Sequence, residues 1–61
     1  MAKRGKSNNA KFKIGDIIVI TLYGTVGKVT DIKMLDGQFV YEVNNSEGLF
    51  QEESLAFLSE Y

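Results

Sequence analysis

Asp36-Gly37 stands between two runs of β-prone residues, Val26 to Met34 and Gln38 to Asn44. Aspartate and glycine both tolerate the positive φ that a two-residue turn between antiparallel strands demands, so the dipeptide places a hairpin at the middle of the chain. A lone hairpin is marginal in water, and the flanking residues must add strands to it. They must do so around a single core, because a chain of 61 residues buries only ~60% of its unfolded surface and cannot divide into two.

The flanks repeat the hairpin's pattern: short apolar stretches punctuated by glycine, with no proline. That spacing predicts an all-β domain over residues 12–61. Asp16 to Leu22 is built of residues that suit a half-buried pleated surface. A period of two puts Ile18, Ile20 and Leu22 on the core face and Ile17, Val19 and Thr21 on the other. Tyr23 to Gly27 then turns the chain. In the second strand Val29 and Ile32 are three apart instead of two, a phase slip that predicts a bulge or strong bend. The third strand carries Phe39, Tyr41 and Val43 on one face and Val40, Glu42 and Asn44 on the other. Asn45-Ser46-Glu47-Gly48 is the next turn, Leu49 to Gln51 a short fourth strand, Glu52-Glu53-Ser54-Leu55 one helical turn, and Ala56 to Leu58 the last strand. The competing reading makes Gln51 to Glu60 a C-terminal helix with Leu55 and Leu58 as its buried stripe, although so short a helix gains little stability alone.

The chain has no cysteine and no histidine. Thiolate and imidazole metal sites, a thiol nucleophile and a Ser-His-Asp triad are thereby excluded, and so are disulfides, which suits a cytoplasmic protein. No apolar run approaches the ~20 residues of a membrane span, and Met1 to Lys13 lacks the apolar centre of a secretory signal. Charge is unevenly spread. Five basic residues and no acid precede Ile14, whereas from Ile14 onward two lysines face all eight acids. A near-neutral total thus conceals a basic arm, residues 1–11, on an acidic body. The arm is too poor in apolar side chains to offset the entropy of ordering and is expected to be disordered.

Four or five short strands, a Gly-Asp strand start and a late helical turn resemble the Src-homology-3-like small barrel. More narrowly, KIGDIIVI followed by YGTVGKVTDI resembles the KOW motif, over residues 13–58. Gly15 and Asp16 match the motif's strand start, Ile18 and Ile20 its buried pair, Gly27 the glycine opening the second strand, Lys28 the following basic residue, and Val29 and Ile32 the strand itself. The resemblance implies a five-stranded barrel with one short helical turn before the last strand. It further implies binding to RNA or to transcription and translation machinery, and it extends to small bacterial and phage proteins without a known role. Type II dihydrofolate reductases are also short barrels of this kind. Their Val-Gln-Ile-Tyr stretch is replaced here by Leu49-Phe50-Gln51-Glu52, in which only the glutamine is shared.

Two sets of residues are candidates for contact. A nucleic acid would meet Lys3, Arg4, Lys6, Lys11 and Lys13 of the arm, with Tyr23 stacking on a base and Lys28 and Lys33 neutralising phosphates. A protein partner, or a second copy of the chain, would meet Ile17, Val19, Val40 and Leu49, which alternation turns outward. For each there is a purely structural alternative: Tyr23 covering the end of the barrel, the lysines solvated, the arm lying on its own acidic body, the outward residues packed under a loop. Glu47, Glu52 and Glu53 read as a solvated acidic edge. Asp16 is expected to hydrogen-bond at the strand start. Asp31, Asp36 and Glu42 lack calcium-loop spacing. The expectation is a non-enzymatic binding or regulatory module acting through protein contacts, without cofactor or metal, with a KOW-type nucleic-acid-binding module as the alternative.

Overall fold

A computed structural model describes residues 10–61. Five strands, β1 (Ile17–Ile20), β2 (Thr25–Leu35), β3 (Gln38–Val43), β4 (Leu49–Gln51) and β5 (Leu55–Phe57), form one antiparallel sheet in the order β4-β3-β2-β1-β5. The sheet is open, with β4 and β5 as its edges. A 3-10 turn, Glu52–Ser54, links those edges, and a second, Leu58–Glu60, follows β5. The C-terminal helix of the competing reading does not form.

The hairpin lies where Asp36-Gly37 predicts it. Leu35 pairs with Gln38, and the two turn residues take φ of 51° and 77°, the left-handed pair that matches strand twist. The phase slip in β2 is also present: register shifts between Val29 and Asp31, leaving Thr30 as the extra residue. Thr30 Oγ1 accepts from the Asn45 amide at 3.0 Å and donates to Glu42 Oε1 at 2.8 Å, which ties the bulge to the turn beyond β3. The first four residues of β2 pair with β1 and the remainder with β3, so this one strand belongs to both halves of the sheet.

The bend lets the halves share a core. Ile18 and Ile20 of β1 and Leu55 of β5 pack with Val29, with Tyr41 and Val43 of β3, and with Phe12, which precedes the sheet. Phe12 stands edge-on to Tyr41 at 5.3 Å and against Phe57 at 4.7 Å, arrangements that aromatic rings favour. Where the halves meet, Gly27 leaves no space: a Cβ there would lie 2.5 Å from Val43 Cγ1 and 2.9 Å from Asn44 Nδ2.

Three expectations are corrected. Leu22 is not in the core but 79% exposed, because the Tyr23 and Gly24 amides both donate to Ile20 O and the chain leaves the strand before Leu22. Val19 and Val40, read as outward-facing, are 1% and 7% exposed. The C-terminal 3-10 turn packs back on β1, and Val40 lies between Lys33 and Gln51 in register, so both valines are covered within the chain itself. Lastly, Ala10 and Lys11 belong to the domain and not to a free arm. Ala10 packs on the core and the Lys11 amide is bonded to Glu52.

Candidate functional site

The segment Ala10 to Ile14 has no strand partner of its own, yet it is held firmly. Glu52 Oε2 accepts from the Lys11 amide at 3.1 Å and from the Tyr41 hydroxyl at 2.6 Å, while the Tyr41 oxygen accepts from the Phe12 amide at 3.4 Å. Two residues further on, the Lys13 amide donates to Asp16 Oδ2 at 2.9 Å, and the Asp16 amide donates to Lys13 O at 2.9 Å. The expected bonding of Asp16 at the strand start is thus present. Between these anchors Phe12 is driven fully into the core. Its neighbours Lys11 and Lys13 are both exposed.

The electrostatics follow from this geometry. Burial, reinforced by the bond to Glu52, pushes the Tyr41 hydroxyl up to about 12. Hydrogen bonds from Tyr41 and from the Lys11 amide, with the Lys11 charge adding to them, hold the Glu52 carboxyl below the ordinary carboxylate range. Glu52 is therefore a structural anion and not a free member of an acidic edge. Glu53 is exposed, as is Glu47.

Held this way, Ala10 to Ile14 forms one wall of a cleft of about 340 Å3, with Ile32 of β2 and Phe39 of β3 as the other. Phe12 is its floor and Lys13 stands at its edge. Ile14, lining the same cleft, is 64% exposed, and Met34 on β2 is half-exposed as well. The lining is apolar apart from Lys13, and it contains no acid. Sequence reading missed this site. The alternation of β2 and β3 marks Ile32 and Phe39 as one face, but that Phe12 fills the floor depends on a contact spanning 29 residues.

The sequence candidates are dispersed. Lys3, Arg4 and Lys6 lie outside the described residues. Lys11 and Lys13 lie beside the cleft, with Lys11 Nζ 5.4 Å from the centre of the Phe12 ring. Tyr23 is 70% exposed in the turn after β1, so it does not cover an end of the sheet. Lys28 is exposed opposite Ile17, and Lys33 pairs with Asp31 at 3.4 Å. Ile17 and Leu49 keep exposed surface, on β1 and β4 respectively. Asp31 is committed to Lys33 and to the Ile32 amide, and Glu42 to Thr30. Among the described residues no cluster of three or more acids is arranged to hold a metal ion, and no helix is long and apolar enough to cross a membrane.

The open five-stranded sheet, folded over one core with the tethered segment Ala10 to Ile14 packed against it, defines a small all-β domain. The chain belongs to the YodN N-terminal domain family, whose profile matches residues 15–59. It is 43% identical over 56 residues to "Uncharacterized protein YodN" of Bacillus subtilis (strain 168), an alignment that covers 92% of this chain and 25% of that protein. The chain therefore spans about a quarter of the length of that relative. No solved structure matches. The matched residues include the β2 and β3 wall of the cleft, and the Ala10 to Ile14 wall lies immediately before them.

Proposed function

We propose that the domain is a non-enzymatic, cytoplasmic module that binds another protein, and that its sheet is the frame of a Src-homology-3-like small barrel. The strand order, the bent β2 shared by both halves and the 3-10 turn before β5 support the barrel reading. The observation that carries the binding reading is the cleft, where Ile14 holds apolar surface in water beside Ile32 and Phe39. The two side chains whose ionisation the fold perturbs, Tyr41 and Glu52, are engaged with each other and with backbone amides, a structural use that supports the non-enzymatic reading. That the relative is about four times longer suits a module serving a larger protein.

Nuclease-treated capture on the immobilised domain, repeated with Ile14→Asp, tests this. A protein held by the parent at high salt and lost with Ile14→Asp is the expected result. Retention of nucleic acid alone, released by salt, would replace this reading with a KOW-type one resting on Lys11, Lys13 and the basic residues before them.

A further inference from the structure

The cleft differs electrostatically from the rest of the domain. Residues 10–61 contain four lysines against eight acids. Of the four, Lys33 is paired with Asp31 and Lys28 lies opposite Ile17 on the other half of the sheet. The other two, Lys11 and Lys13, flank the cleft floor at Phe12, and Lys13 is part of the lining. Lys11 shares its field with Glu52, whose carboxylate is already occupied by the Tyr41 hydroxyl and the Lys11 amide. Lys13 is in no ion pair within the described residues. An acidic body thus places a cation at the rim of its apolar cleft.

We infer that the cleft takes a protein segment in which a large apolar side chain is flanked by aspartate or glutamate. The inference rests on the protein-binding reading and deepens it. The apolar side chain enters between Ile14, Ile32 and Phe39, and the flanking carboxylate meets Lys13. A cleft of about 340 Å3 holds one or two such side chains and not a folded domain, so the occupant is a short peptide segment. Nucleic acid fits less well: the lining holds one cation, Lys13, and of its two aromatic rings Phe12 is fully buried while Phe39 is half-buried against the core. Exposed charge pairs contribute little individually, so Lys13 is expected to set preference more than affinity.

The test titrates the 15N-labelled full chain with three probes of equal length. One is a synthetic octapeptide with a central Leu-Phe flanked by Glu and Asp, the second replaces those acids with Lys, and the third is oligouridylate. Expected are amide shifts confined to Lys13, Ile14, Ile32 and Phe39 with the acidic peptide, and binding at least fivefold weaker with the lysine peptide. Lys13→Glu should invert that preference, and Ile14→Asp should abolish binding; both side chains are exposed, and retained spectral dispersion shows that each variant is folded. Equal binding of the two peptides at these residues overturns the acidic preference while leaving the protein-binding reading intact. Shifts with oligouridylate alone overturn both. No shifts with any probe overturn the inference.

Discussion

Replacing Tyr41 with phenylalanine removes one oxygen and nothing else, which separates the clasp that Tyr41 and Glu52 form on the Lys11 and Phe12 amides from the packing of the ring. The hydroxyl gives Glu52 a short charge-assisted bond of 2.6 Å, a class that contributes ~1.5–3 kcal/mol, and it accepts a long bond of 3.4 Å from the Phe12 amide. Glu52 is half-buried, so water recovers part of its solvation once the partner is gone. Tyr41→Phe is therefore expected to cost about 1–2 kcal/mol. For a domain of this size that lowers Tm by roughly 5–15 °C. Glu52→Gln should cost a similar amount, and the double variant less than the sum, since both act on one bond.

The pH dependence has a defined sign. Glu52 titrates lower in the folded state, so its contribution is present above the ordinary glutamate value of ~4.3 and is lost as pH falls through the folded value. Tyr41 titrates higher when folded, so its contribution is complete below pH ~10 and is lost between there and about 12. Urea unfolding followed by circular dichroism at pH 3, 7 and 9 measures the difference between parent and Tyr41→Phe. That difference should be flat from pH 7 to 9 and shrink at pH 3. A variant with the parent's Tm at pH 7, or a difference that grows on acidification, would refute the clasp.

Gly27→Ala forces a methyl into Val43 and Asn44 and should cost about 1–3 kcal/mol in chemical denaturation; a neutral result would mean that the two halves of the sheet part easily at Gly27. Thr30→Val leaves the Asn45 amide and the Glu42 carboxylate without their partner, and a loss of ~1 kcal/mol is expected, with faster hydrogen exchange at the Asn45 amide as the direct readout. Leu22→Ser should leave stability within ~0.5 kcal/mol of the parent, as befits a side chain outside the core; thermal melting distinguishes this from the cost of a truncated core leucine.

What the sequence made legible was local. Asp36-Gly37, the slip between Val29 and Ile32, the β4 strand and the helical turn at Glu52 each depend on neighbours a few residues away, and each is present. The face of Phe39, Tyr41 and Val43 was readable for the same reason. The losses lie where distant segments decide. Alternation carried Leu22 into the core because nothing in its own stretch announces that two amides converge on Ile20 O. Alternation turns Val19 outward, and its cover comes from beyond β5. The clasp joins residues 11 and 52, and the cleft depends on it, so neither is visible to any pattern of short period.

β2 has a further consequence. Each half of the sheet borrows the same eleven-residue strand, β1 and β5 from one end and β3 and β4 from the other. Neither half retains a complete wall if the strand melts, so partial unfolding has no natural seam at which to stop. Native-state exchange should then find the β2 amides opening together, at the free energy of the whole molecule, while the strands at either margin fray independently. The bulge at Thr30, where the strand changes partners, is accordingly the point at which a single substitution is felt on both sides.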